Sequence, residues 1–72
     1  MDQSKKIELL EDMLELDEGT LSPETELSTL DEWDSLAKLS LIVLLDDEFD
    51  KKATGETVRS FVTIADILDY MG

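Results

Sequence analysis

Residues 33–49 read WDSLAKLSLIVLLDDEF, a serine that follows an acid, then a strongly apolar run, then three further acids. The apolar side chains surround nearly the whole cylinder at about 100° per residue, and β-branched residues are sparse. The stretch therefore predicts a helix from about Ser35 to Phe49, with Asp34 as its N-cap. Because it is apolar on nearly all sides, we expect it to be central and mostly buried. Its least apolar face, expected to be exposed, holds Leu36, Ser40, Val43 and Asp47.

A first helix is predicted from about residue 4 to residue 16. Its apolar stripe consists of Ile7, Leu10, Met13 and Leu14, broadened by Leu9 and Leu16. Asp2 or Ser4 is the candidate cap, and Gly19 lies just past the predicted end, where a left-handed residue is easily accommodated.

Residues 17–34 form a long connection, in which Ser22-Pro23 is a candidate for one short turn of helix. Leu21, Leu27 and Leu30 are spaced to hold this loop on the core, as so long a loop in a small domain requires.

Two shorter helices are predicted after the central one. Residues 51–54 read as a turn and Gly55 as a break, followed by a short helix from Thr57 to Phe61. Thr63 and Asp66 then match a capping box before a last helix that contains Ile64, Ile67, Leu68 and Met71. The sequence thus predicts one all-α domain over residues 1–72, a small four-helix bundle with a short third helix and a long loop between helices one and two.

Composition excludes several classes of function. The 72 residues hold 19 acids and 6 bases, a formal net charge of −13, with neither cysteine nor histidine. Between Lys6 and Lys38 there are eleven acids and no base. We therefore expect no nucleic-acid binding, no metal site, no Ser-His-Asp catalysis and no enzyme activity, but partners with basic surface patches. Without an apolar segment long enough for a leader or a membrane span, a cytoplasmic monomer that does not insert into membranes is expected.

The chain resembles acyl carrier proteins over nearly its whole length. The resemblance depends on Asp34-Ser35-Leu36, on the Leu-rich helix that closes in residues 46–50, DDEFD, and on residues 62–71, VTIADILDYM. Leu30, four residues before Asp34, also matches a leucine of the family. The resemblance implies that a phosphopantetheinyl transferase attaches 4′-phosphopantetheine to Ser35, and that acyl-modifying enzymes with basic docking patches read the acidic surface.

The same resemblance implies further site residues. Partner recognition would involve Asp34, Leu36, Val43, Asp46 and Asp47, and an acyl chain would lie in a pocket formed by Leu41, Leu44, Leu45, Ala53 and Phe61. Each of these residues also has a purely structural interpretation. Leu36 could be a core anchor, and Ser35 could be an ordinary serine at the start of a helix. Asp34 could simply cap the helix, and Asp46 and Asp47 could simply be solvated.

Two departures from the family pattern stand beside the motif. Ala37, Lys38 and Ser40 occupy positions that are rich in acid in carriers of primary fatty acid synthesis, and Trp33 replaces a smaller residue. They suggest a specialised carrier, with Trp33 as a loop anchor or as part of a docking surface. The competing hypothesis is an acidic helical interaction module without a prosthetic group. The spacing of the acids does not match a calcium-binding EF-hand loop, and loose binding of divalent cations by clustered carboxylates stays open as an alternative.

Overall fold

The computed structural model describes residues 2–72, and four α-helices form within this range. They are α1 (Gln3–Met13), α2 (Ser35–Phe49), α3 (Gly55–Arg59) and α4 (Ile64–Met71), with a 3₁₀ helix at Leu27–Thr29. The Cα radius of gyration is 10.8 Å, close to the value of about 11 Å for a compact chain of this length. The prediction of a small all-helical fold with four helices is confirmed. α2 contacts α1 and α3, and α1 also contacts α4.

The starts of α1 and α2 are capped by aspartates. The carboxylate of Asp2 accepts a hydrogen bond of 2.9 Å from the Lys5 N–H, and that of Asp34 accepts one of 2.9 Å from the Ala37 N–H. Each bond satisfies an amide that lacks a partner in the first turn. The bounds and the cap predicted for the central helix are confirmed.

The N-cap residues of the two later helices are threonines. Thr54 caps α3 by accepting from the Thr57 N–H at 3.1 Å, so Gly55 is the first residue of this helix rather than a break before it. The predicted range Thr57–Phe61 was wrong by two residues at each end. The capping box of Thr63 and Asp66 is present at the start of α4, as predicted.

α1 ends three residues earlier than predicted because the chain turns left-handed at Glu15, where φ is 60°. The Glu15 N–H donates to the Asp12 carbonyl at 3.1 Å and the Leu16 N–H donates to the Glu11 carbonyl at 2.8 Å. This pair of bonds is a Schellman motif, which satisfies the last carbonyls of the helix. Gly19 is also left-handed, with φ of 87°, but it lies further along the loop.

The loop between α1 and α2 is held by buried leucines and by backbone pairing. Leu21 and Leu27 are buried and Leu30 is half-buried, as predicted. Ser22-Pro23 starts a hydrogen-bonded turn rather than a helix, with the Thr25 N–H 3.1 Å from the Ser22 carbonyl.

The same loop pairs with the segment between α3 and α4. An isolated antiparallel bridge joins Glu26 to Thr63. Beside it the Leu27 N–H donates to the Val62 carbonyl at 2.9 Å, and the Ile64 N–H donates to the Thr25 carbonyl at 3.0 Å. These bonds fix residues 25–27 of the loop against the segment that joins α3 to α4.

The core takes side chains from all four helices and from the loop. Its largest fully buried members are Leu10, Leu27, Leu41, Leu45, Val58, Ile64 and Ile67. From α2 only Ala37, Leu41 and Leu45 are buried. The prediction that α2 is mostly buried was therefore wrong, whereas Leu36 and Val43 are exposed as predicted, with 72% and 57% of their surface accessible. Leu39 is 61% accessible and was not predicted to be exposed.

One carboxylate lies among these apolar side chains. Glu11 is 3% exposed, and its Oε2 accepts hydrogen bonds from the Gly19 N–H at 3.0 Å and the Leu21 N–H at 2.9 Å. A buried charge needs such partners. Glu11 therefore ties the start of the long loop to α1.

Candidate functional site

Ser35 is the first residue of α2 and its side chain is exposed. Asp34 occupies the Ala37 N–H, and the Lys38 N–H donates to the Asp34 carbonyl at 3.0 Å. Within residues 2–72 the Ser35 and Leu36 N–H groups have no internal acceptor, and the Ser35 hydroxyl makes no hydrogen bond. The hydroxyl therefore stands free at the positive end of a 15-residue helix.

These features fit a phosphodiester better than a catalytic nucleophile. Free amides and the helix dipole favour an anion at this place, by about 0.3–1 kcal/mol at an exposed site. A serine that attacks a substrate needs an adjacent base, and the sequence contains no histidine. The Ser35 and Leu36 amides at this end of the helix are thus available to an anion.

An acidic groove lies on the α1 side of Ser35. It has a volume of about 350 Å³ and is lined by Met13, Leu14, Glu15, Glu32, Asp34, Leu36, Ala37 and Ser40. Three carboxylates and no cation line it. We call this surface the acidic groove.

A second groove lies on the α3 side and carries the opposite charge. It has a volume of about 380 Å³, and its lining includes Leu30, Trp33, Lys38, Arg59, Phe61 and Val62. The Lys38 Nζ lies 6.0 Å from the centre of the Trp33 ring, which is within range of a cation–π contact. We call this surface the basic groove. Trp33 is half-buried and packs against the core, which supports its interpretation as a loop anchor.

The exposed face of α2 carries an apolar stripe of Leu36, Leu39 and Val43. Leu36 and Val43 were predicted for partner recognition, and the exposure of Leu36 excludes its interpretation as a core anchor. Leu39 was missed, although it lies three residues after Leu36 and four before Val43 and so shares their face. Val62 is also 60% exposed, although its apolar side chain is typical of a core residue.

The predicted acidic contacts differ in their surroundings. Asp34, Asp46 and Asp47 are all exposed. Asp46 is already paired, 2.7 Å from the Lys52 Nζ, and this pair raises the pKa of Lys52. Both partners are well exposed, so the pair contributes little to stability. Asp47 forms no ion pair within the described chain.

The five residues predicted for an acyl pocket are only partly accessible. Leu41 and Leu45 are fully buried, whereas Leu44, Ala53 and Phe61 are half-buried and pack against the core. Leu41 and Leu45 are closed off from solvent in this conformation. The pocket stays a prediction.

The described part of the chain shows neither a metal-binding cluster nor a membrane-spanning helix. Over residues 2–72, no three His, Cys, Asp or Glu side chains cluster as a metal site would require. No helix in this range combines the length and the apolar content needed to cross a bilayer. Comparisons with protein-family models and with solved structures found no match.

Proposed function

We propose that the protein is an acyl carrier protein, which holds acyl intermediates as thioesters and passes them between enzymes of fatty acid, polyketide or related specialised biosynthesis. The observation that carries this proposal is the exposed, unpaired hydroxyl of Ser35 at the start of α2, within the Asp34-Ser35-Leu36 motif. The resemblance of the whole sequence to this family supports it. The protein itself catalyses no step.

Attachment of the arm requires one group transfer. The Ser35 oxygen bonds to the phosphorus on the pantetheine side of the coenzyme A pyrophosphate. The bond from that phosphorus to the bridging oxygen breaks, and adenosine 3′,5′-bisphosphate leaves. The transferase supplies the base that takes the serine proton, since within residues 2–72 the Ser35 hydroxyl has no hydrogen-bond partner that could accept it. When bound, the arm supplies the thiol that carries the acyl group.

The surface around Ser35 suits partners that are basic and apolar. The apolar stripe of Leu36, Leu39 and Val43 offers contact area, and Asp34 and Asp47 lie near its two ends. Acids placed beside an apolar contact surface increase the association rate with a positively charged partner and fix its orientation. They increase the affinity for that partner less. Binding of this kind is transient, as a shuttle requires.

The test is the intact mass after incubation with coenzyme A and a broad-specificity phosphopantetheinyl transferase. We expect a gain of one phosphopantetheine on the wild-type chain and none on Ser35→Ala. Ser4→Ala is the matched control, because Ser4 is an exposed serine in the first turn of α1. A wild-type chain that gains no mass refutes the proposal and favours an acidic helical interaction module instead.

We further propose that this carrier serves a dedicated pathway. Ala37, Lys38 and Ser40 follow the motif where primary carriers have acids, and Lys38 adds a positive charge to the basic groove. Efficient chain elongation on this protein by the housekeeping fatty acid synthase enzymes would contradict this assignment.

A further inference from the structure

We infer that the basic groove is a docking site for a partner enzyme, and that it receives an acidic side chain with an apolar neighbour from the surface of that enzyme. The inference rests on the proposed function, to which it adds the chemistry of one partner surface. Three features of the described chain carry it: the unpaired cations of the groove, its exposed apolar wall and the opposite charge of the two grooves.

The cations of the basic groove have no acidic partner within the described chain. Lys38 and Arg59 are two of only six bases, and no carboxylate lines the groove beside them. Over residues 2–72 neither forms an ion pair, whereas Lys52 pairs with Asp46 at 2.7 Å. Although the chain has 19 acids, both cations are therefore available to a carboxylate from outside it.

Interactions within the protein use only part of these two side chains. The Lys38 Nζ lies 6.0 Å from the centre of the Trp33 ring, at the outer limit for a cation–π contact, and that contact leaves its N–H groups free to donate. Arg59 lies in the last turn of α3, where a cation interacts favourably with the helix dipole. That interaction needs none of the five N–H donors of the guanidinium, so these donors can bind a carboxylate.

The basic groove also exposes apolar surface that the fold does not cover. Val62 lines it with 60% of its surface accessible, and Trp33 and Phe61 line it as half-buried side chains. Its volume of about 380 Å³ is at the lower end of the range for ligand pockets, about 300–1,000 Å³. Tryptophan and arginine are also enriched where proteins bind one another. The groove therefore suits one or two side chains of a partner protein.

The two grooves lie on opposite sides of the exposed face of α2. Leu36 lines the acidic groove and Lys38 lines the basic groove, and at 3.6 residues per turn the apolar stripe lies between them. A partner that covers this face to reach Ser35 meets three carboxylates on one side and two cations on the other. Only a partner with bases opposite the first and an acid opposite the second avoids contacts between like charges. The acid in the basic groove therefore fixes the orientation of the bound enzyme.

The experiment measures the binding of two short peptides to the full chain after it has been loaded with phosphopantetheine. The probes are acetyl-Leu-Glu-Leu-amide and acetyl-Leu-Gln-Leu-amide. Trp33 is the single tryptophan and lines the groove, so its fluorescence and its indole N–H resonance report on binding there. We expect the glutamate peptide to bind roughly three- to tenfold more tightly, although a net charge of −13 repels an anion from the protein as a whole.

Variants of the groove separate its charge from its apolar surface. Lys38→Gln and Arg59→Gln should each lower the preference for the glutamate peptide by at least about twofold, and the double variant should abolish it. Lys51→Gln is the matched control, because it removes the same charge from an exposed position outside the groove and should leave the preference unchanged. Val62→Ser should weaken both peptides by the same factor, since it removes apolar contact and no charge.

The outcomes separate the inference from the proposed function. A chain that gains no mass with the transferase refutes the proposed function, and the inference falls with it. A loaded chain that binds both peptides equally, or neither of them, refutes only the inference. Equal effects of Lys51→Gln and Arg59→Gln also refute it, because net charge then accounts for the preference. A dimer in sedimentation velocity that disappears in Arg59→Gln contradicts it as well, since the groove would then bind a second copy of this chain.

Discussion

Removal of the Glu11 carboxylate should detach the long loop and destabilise the whole fold. Its Oε2 holds the Gly19 and Leu21 amides at 3.0 and 2.9 Å, and the side chain is only 3% exposed. Hydrogen bonds to a charged acceptor contribute about 1.5–3 kcal/mol each, and a buried amide without a partner costs a similar amount. Because the two bonds share one oxygen, we expect Glu11→Ala to lower the free energy of unfolding by roughly 2–4 kcal/mol.

That loss is large for a chain of this size. A domain of 72 residues has a total stability of about 4–11 kcal/mol, and each kcal/mol corresponds to about 4–8 °C in Tm. Glu11→Gln should cost about 1 kcal/mol, since its amide oxygen can still accept both bonds but lacks the charge. Glu8→Ala is the matched control, because Glu8 is exposed on the same helix.

The assay is denaturant unfolding followed by circular dichroism, together with hydrogen exchange of the Gly19 and Leu21 amides. The control accounts for the relief of self-repulsion that follows the loss of any acid from this chain. If Glu11→Ala unfolded at the same denaturant concentration as Glu8→Ala, and both amides kept their protection, the anchoring role of Glu11 would be wrong.

Three further predictions follow from the structure. The Val62 and Thr63 N–H groups donate to Asp66 at 2.9 and 3.1 Å and hold the pKa of its carboxyl below the ordinary value. The stabilisation from these bonds is complete above the ordinary aspartate pKa of about 4 and is lost as pH falls through the lower pKa of the folded state. The stability advantage over Asp66→Asn should therefore shrink only in acid. Thermal melts of both proteins from pH 7 to pH 3 check this prediction, and a constant difference in Tm contradicts it. Added salt or magnesium should raise Tm by screening a net charge of −13, and a flat response in calorimetry would mean that the acids are already well paired. Leu41→Ala should lose about 2–5 kcal/mol of stability, while Leu36→Ala should stay within about 0.5 kcal/mol of the wild type. When both variants are fully folded, only Leu36→Ala should slow the attachment of phosphopantetheine by the transferase. An unchanged rate in Leu36→Ala would show that Leu36 is not part of the docking surface.

Features that depend on neighbouring residues were predictable from the sequence. The cap at Asp34 and the capping box of Thr63 and Asp66 bond groups within three or four positions of each other, so their spacing is visible in the chain. The bounds of α2 followed from the same local signals. Ser35 was placed at the start of a helix for this reason.

Features that depend on competition between local signals were missed. The apolar stripe of α1 continues to Leu16, yet the helix stops at Met13 because a left-handed Glu15 closes a Schellman motif. Glutamate has no preference for the left-handed conformation, so the sequence pointed to Gly19 instead as the residue that ends the helix. The burial of Glu11 was missed too, although it lies four residues after Ile7 and three before Leu14, on the apolar face of α1.

The sequence by itself determined the helical class, the caps and the position of Ser35, since helix propensity and capping act over a few residues. Only the tertiary structure decided which faces of α2 are covered, because burial depends on where other elements pack. It also decided the two grooves. Pairing of residues 25–27 with residues 62–64 brings Arg59 and Phe61 to the same side as Trp33 and Lys38. Glu15, Glu32 and Asp34, which all lie between α1 and α2, line the other side. No local sequence pattern predicts that separation of charge around Ser35.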